Sequence, residues 1–183
     1  MSSTVIDVIN DLAFADGSAL LQQALPMAQH LAALKRRTRQ LGIPSIYVHD
    51  NFGRWQSDFH KLLHHCLQEG VCGQPLATLL QPDEEDYFVL KPKHSGFYST
   101  TLELLLRALG VHTLILTGIA GNICVLFTAN DAYMRDYRLI IPADCIASQT
   151  AQENSSALHI MQSVLKADIQ ASTALDLQLL LQS

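Results

Sequence analysis

Residues 113–137 read TLILTGIAGNICVLFTANDAYMRDY, an apolar run joined to an apolar helix by a turn of a few residues. A run such as residues 114–116, apolar throughout, belongs in a sheet covered on both faces, and it stops at Gly118. The helix predicted from near Gly121 carries Cys124, Val125, Phe127, Ala129 and Ala132. Cys124 therefore falls in the first turn of a helix, just past the carboxyl end of a strand. Unpaired backbone N–H groups and the positive end of the helix dipole favour thiolate there. Position alone does not separate a reactive thiol from a small, inert core cysteine.

The same alternation runs along the whole chain. A β-branched strand at 4–9 is interrupted by Asp7 and followed by Asn10, Asp11 and a loop at 13–17. A helix at 19–41 buries Leu20, Leu21, Ala24, Leu31 and Leu34, with Pro26 expected to kink or divide it. A strand at 43–48 leads into a loop at 49–53, and a helix at 55–68 carries Trp55, Phe59, Leu62, Leu63 and Cys66. Turn residues Gly70, Gly73, Pro75 and Pro82 and the acids Asp83, Glu84, Glu85 and Asp86 mark 70–86 as surface. A strand at 87–90 closes on Lys91 and Pro92, and an amphipathic helix at 99–109 ends at Gly110. Beyond the Cys124 helix come a strand at 138–141, a helix at 150–165, a short strand at 168–171 and a closing helix. Strands alternating with helices of this length form right-handed βαβ units. They predict one three-layer α/β/α domain over residues 1–183, Rossmann-like, with a mostly parallel six-stranded sheet.

With 183 residues, 49% of them hydrophobic, the chain is long enough to fill one such core. No apolar run approaches the roughly 18 residues of a membrane span. The N-terminus lacks the basic region and apolar core of a signal peptide, so a cytoplasmic location is expected. A net charge of −5 without a basic cluster argues against nucleic acid, and Lys35, Arg36, Arg37 and Arg39 read as a solvated helix face. Cys66, Cys72, Cys124 and Cys145 have no framework spacing and are expected as reduced thiols.

In a parallel sheet every strand's carboxyl end lies on one edge, where ligands bind at the point of strand-order reversal. Asp7 lies near the end of the first strand, Lys91 ends the third and Cys124 follows the fourth. A carboxylate, an ammonium and a thiol thus meet on one rim, each against an apolar run where an unpaired charge is costly. Asp7 and Lys91 alone would also serve as a buried ion pair holding the sheet edge. A thiol at the same edge favours chemistry.

Three motifs carry a family likeness: Asp7-Val-Ile-Asn10-Asp11-Leu12; Lys91-Pro-Lys-His-Ser95-Gly96-Phe97 with Thr101-Leu102; and Gly118-Ile119-Ala120-Gly121-Asn122-Ile123-Cys124-Val125 with Thr128-Ala129 and Asp131-Ala132. In order and spacing, over residues 5–175, the sequence resembles the isochorismatase-like cysteine hydrolases. The resemblance implies that fold, a catalytic triad of Asp7, Lys91 and Cys124, and an oxyanion hole from the N–H groups of Cys124 and Ala120. It also implies a cis peptide between Ile119 and Ala120, and an assembly of two or more copies. Ile9, Leu12 and Gly121 depart from residues common in relatives (Gln, Phe and Thr) and are expected to reshape the pocket. Nicotinamidases of this superfamily hold a metal through an Asp-x-His pair, but here the segment reads Asp50-Asn51-Phe52. No metal or cofactor is therefore expected, and His60, His64, His65, Cys66 and Cys72 read as a helix with surface histidines rather than a zinc site. Cys145 is either a bystander near the site or core.

Candidate pocket residues are Asn10, Phe14, Arg54, Trp55 and Phe97, with Arg54 suited to a substrate carboxylate or to plain surface. The leading expectation is metal-independent hydrolysis of a small amide, carbamoyl or ureido compound. An isochorismatase-type vinyl-ether hydrolase with Asp7 as acid, a non-catalytic binding protein of the same fold and a thiol-redox protein stand as alternatives. The partner in the leading case is a small-molecule substrate.

Overall fold

The computed structural model describes residues 1–51 and 58–182. In chain order it contains β1 (Ser2–Ile6), α1 (Gly17–Gln40), β2 (Ser45–Asp50), α2 (Phe59–Cys66), α3 (Gln74–Leu79), β3 (Tyr87–Lys91), α4 (Leu102–Ala108), β4 (Thr113–Ile119), a π-helical turn (Gly121–Val125), α5 (Leu126–Tyr133), β5 (Arg138–Ile140), β6 (Ile146–Ala147), α6 (Ala151–Ser163) and α7 (Leu177–Gln182). The path through the sheet is β3-β2-β1-β4-β5, with β6 paired to β4 and every ladder parallel.

Strand alternation divides the apolar residues between two cores. Val5, Tyr47, Ile115 and Ile119 pack with Leu20, Ala24, Leu31 and Leu34 of α1, and with Leu76 and Leu177, on one face. Ile6, Ile46, Val48, Leu114 and Leu116 pack with Leu102, Leu106, Val125, Ala129, Ala157 and Met161 on the other. These are the three layers expected from the strand–helix alternation. Strand order reverses between β1 and β4. At that point Gly118 has φ 112°, and a Cβ there would lie 2.1 Å from the Ile6 carbonyl oxygen. The strands approach too closely for any other residue, and the carboxyl ends of β1 and β4 are drawn together.

Five local expectations need correction. α1 runs unbroken through Pro26, because its buried stripe of Leu20, Ala24, Met27, Ala28, Leu31 and Leu34 holds both halves to the sheet. Residues 70–86 are not all surface. Pro75 stands in the first turn of α3, where its missing N–H costs nothing, and Leu76, Ala77 and Leu80 are buried. The sixth strand is Ile146–Ala147; the 168–171 segment contributes only a single bridge, Asp168 to Ile140. Of the helix expected over 55–68, residues 55–57 lie outside the described residues, and Asp58 is extended and caps α2 rather than continuing a helix through it.

The fifth correction concerns the basic run on α1. Lys35 is 7% exposed, and its Nζ lies 2.7 Å from Asp86, 3.0 Å from Asp83 and 3.1 Å from the Gln81 carbonyl. Arg39 also reaches Asp83, and Arg37 donates to the carbonyls of Ser172 and Leu175. This face clamps the 81–86 loop and the 172–175 turn to α1. Lys35→Ala leaves the buried Asp86 carboxylate without its cation while Asp83 keeps Arg39, so a cost of about 3 kcal/mol, the low end for a broken buried pair, is expected by urea unfolding.

Candidate active site

β1 ends at Ile6, and Asp7 takes a left-handed φ of 52°, a conformation aspartate tolerates better than most residues. The turn aims its carboxylate along the sheet edge. Oδ1 accepts the Asp50 N–H at 2.8 Å, and Oδ2 lies 2.8 Å from Lys91 Nζ. Lys91 is the last residue of β3, two strands away from β1, and its fully buried side chain spans β2 to arrive there. The same Nζ donates to Cys124 Sγ at 3.4 Å and lies 3.5 Å from Asp50 Oδ2. The edge chosen by sequence reasoning therefore gathers Asp7, Lys91 and Cys124 around one nitrogen.

Cys124 stands in the π-helical turn that precedes α5, and the Ile119–Ala120 peptide is cis. The Ala120 carbonyl accepts the N–H groups of Ile123 and Val125, both at 3.1 Å. Thr128 Oγ1 donates to the Cys124 carbonyl at 2.7 Å and accepts the Gly96 N–H at 2.9 Å, tying the lysine loop to the thiol's helix. Ser95 Oγ donates to Asp131 and accepts the Phe97 N–H. These links explain why a threonine and an aspartate follow the cysteine at helical spacing. The composition and spacing of the motif carried no hint of the partners they bind.

The electrostatics reverse one expectation. The Cys124 thiol is pushed up to about 12, by burial first and then by the Asp7 carboxylate, against the pull of Lys91. The helix's first turn does not deliver a resting thiolate, because the sulfur is half-buried beside a carboxylate. Burial also raises the Asp7 carboxyl above the ordinary range, although Lys91 and the Asp50 N–H oppose it. Desolvation lowers the Lys91 ammonium, but Asp7 and then Cys124 lift it, and the net direction is upward. Among Asp7, Lys91 and Cys124 a proton can therefore move between sulfur and carboxylate while Lys91 stays charged.

The candidate pocket residues fare unevenly. Asn10 is half-buried beyond Asp7, and its Oδ1 is spent on the Leu12 N–H at 2.8 Å, leaving its amide NH2 as the group to offer. Phe14 is exposed in the segment leading into α1. Phe97, expected in the pocket, is instead a core residue, 5% exposed, with its ring beside Tyr137 and under the Arg135 guanidinium at 4.9 Å. Arg54 and Trp55 lie outside the described residues. Ile9 and Leu12 are 1% and 2% exposed in the α1-side core, so these departures repack the core rather than reshape a pocket.

Among the described residues no three His, Cys, Asp or Glu side chains gather to hold a metal ion. Asp50 instead faces Lys91, so the described donors do not make a metal centre. His60, His64 and His65 are exposed, with His65 paired to Asp11 at 3.3 Å, while Cys66 is buried. Cys145 is a fully buried core residue. His49 is buried too, its ring stacked on Phe59, and burial with the nearby Lys91 lowers it to about 3, so it stays neutral. No described helix is long and apolar enough to cross a membrane.

Comparison with known proteins places this geometry in a family. The chain is 46% identical over 165 residues, 90% of each chain, to the uncharacterized isochorismatase family protein YaaI of Bacillus subtilis (strain 168). It is 45% identical over 78 residues to the ureidoacrylate amidohydrolase RutB of Methylorubrum extorquens, covering 43% of this chain and 32% of that protein. The solved N-carbamoylsarcosine amidase of Thermoplasma acidophilum superposes with a TM-score of 0.71 at 26% identity, over 96% of this chain and 99% of that one. The family described as Isochorismatase domain matches residues 4–172, from within β1 to the turn before α7, and the chain belongs to the isochorismatase family of hydrolases.

Proposed function

We propose that the chain hydrolyses a small carbonyl C–N compound (an amide, carbamoyl or ureido group) through a thioester on Cys124. The observation that carries this reading is the single Lys91 nitrogen held 2.8 Å from Asp7 and 3.4 Å from Cys124. As the sulfur attacks the carbonyl carbon, its proton passes to Asp7, whose raised pKa makes it a stronger base than an ordinary carboxylate. Lys91 balances the negative charge as it moves from carboxylate to sulfur. The carbonyl oxygen becomes an oxyanion, for which the N–H groups of Ala120 and Cys124 are the candidate donors. Asp7 then returns the proton to the leaving nitrogen and the C–N bond breaks. Water, deprotonated by Asp7, attacks the thioester, releasing the acid and restoring the thiol.

Ammonia release from ureidoacrylate, N-carbamoylsarcosine and nicotinamide tests the reading. Turnover of at least one, abolished with Cys124, is the expected result; no turnover of any C–N substrate would sink it. The donor set at Asp50 also predicts that prolonged chelation leaves both rate and melting temperature unchanged. Activity lost with a bound ion, and restored by adding it back, would contradict that. The raised Asp7 carboxyl favours a second reading, protonation of a vinyl ether by Asp7, in which water rather than sulfur completes the hydrolysis.

A further inference from the structure

Gly121 opens the turn that presents Cys124, and its φ lies outside the left-handed region, so its backbone would accept a side chain. The space around it would not. A Cβ at 121 would stand 2.5 Å from Asn154 Oδ1, 3.0 Å from Ser148 Oγ and 3.2 Å from Ile146 Cδ1. Those atoms belong to one connected brace. Ser148 is 1% exposed, and its Oγ accepts the Asn122 N–H at 3.1 Å while donating to Asn154 Oδ1 at 3.1 Å. Asn154 Nδ2 in turn donates to the Ile146 carbonyl at 3.4 Å.

Both ends of the brace are anchored. Ser148 directly follows β6, whose Ile146 and Ala147 pair with Gly118 and Ile119, the residues leading into the cis peptide. Asn154 sits in the first turn of α6, fixed by a capping box between Thr150 and Glu153. The 118–122 segment is therefore held from one side by a two-residue strand and from the other by a buried hydroxyl with a half-buried amide behind it.

We propose that Ser148 and Asn154 are positioning residues for the oxyanion-binding backbone of this enzyme, the Asn154 side chain filling from α6 the space left empty by Gly121. The proposal rests on the thioester reading for its kinetic consequence, though not for its structural one. Neither side chain needs to touch substrate. Their effect passes through the Asn122 N–H to the orientation of the Ala120 and Cys124 N–H groups. A displacement of about 1 Å at such donors is enough to lower turnover roughly 100-fold.

The test is a cycle of variants. Asn154→Ala and Gly121→Ser should each lower kcat about 10- to 100-fold with KM nearly unchanged, the first by emptying the space and the second by overfilling it. Gly121→Ser combined with Asn154→Ala should recover most of that loss, because the serine occupies the vacated space and offers Ser148 a new acceptor. Iodoacetamide alkylation of Cys124, a displacement that develops no oxyanion, should proceed at the native rate in all three. Substrate-independent evidence comes from amide hydrogen exchange over residues 120–125, expected to quicken at least tenfold in Ser148→Ala and in Asn154→Ala. Additive losses in the double variant, equal losses of kcat and alkylation, or unchanged exchange would each overturn the proposal. If the native enzyme hydrolyses none of the three C–N substrates, the thioester reading fails, while hydrogen exchange still decides whether the brace holds the turn.

Discussion

Cys124→Ala should abolish C–N hydrolysis, lowering kcat roughly 10⁴- to 10⁶-fold, the loss seen when the nucleophile of a hydrolytic triad is removed. The fold should survive the change. Alanine is the best helix former, the Thr128 bond is to the Cys124 carbonyl and not to sulfur, and the Asp7–Lys91 pair remains intact at 2.8 Å. Melting temperature and substrate affinity are therefore expected to stay near native values, and kcat alone to collapse. The same variant separates the two chemical readings. A vinyl-ether hydrolase needs Asp7 as acid and water as nucleophile, so it would keep most of its activity without the sulfur. Retention of more than a tenth of native amide turnover by Cys124→Ala would remove the thioester from the mechanism.

How much of this was legible before the structure differs by element, for physical reasons. Strand and helix alternation was visible because buried parallel strands are continuous apolar runs, as in residues 114–116, bounded by Gly118 or Pro92. The convergence of Asp7, Lys91 and Cys124 was visible because parallel topology alone puts all strand ends on one edge. α3 was hidden because Pro75 and Gly73 read as turn signals, although proline is at home in a helix's first turn. β6 was hidden because two residues carry no periodicity, yet it holds the segment ahead of the cis peptide. Lys35 looked solvated because its carboxylates lie at 83 and 86, far along the chain. The resting state of the thiol was the largest misreading. Helix position argues for thiolate, whereas burial and the Asp7 carboxylate from the turn after β1 argue against it, and the structure places both at the sulfur.

That balance gives Asp7 and Lys91 opposite effects on the thiol and the same effect on turnover. Replacing Asp7 by asparagine keeps the left-handed backbone, which asparagine also tolerates, and removes the charge that raises Cys124. Lys91 then faces the sulfur with no competing carboxylate on Asp7, and a thiolate–ammonium pair becomes the favourable arrangement. The thiolate fraction of Cys124 at neutral pH should rise about tenfold for each unit the thiol falls, with new absorbance near the ultraviolet edge, and alkylation should quicken by roughly threefold per unit because a less basic thiolate is a weaker nucleophile. Lys91→Met fills the buried stem's volume but removes the cation, so the thiol should rise further and label more slowly. Both variants should lose hydrolysis by roughly 10⁴-fold, the first for want of a base and the second for want of charge balance. In the native enzyme the base must be ionised, so kcat/KM should fall as pH drops through the Asp7 pKa. Because burial raises that pKa, the acid limb should lie above the range of an ordinary carboxylate and vanish in Asp7→Asn. Slower labelling in Asp7→Asn, or faster labelling in Lys91→Met, would show that the thiol's proton is not governed by these two neighbours.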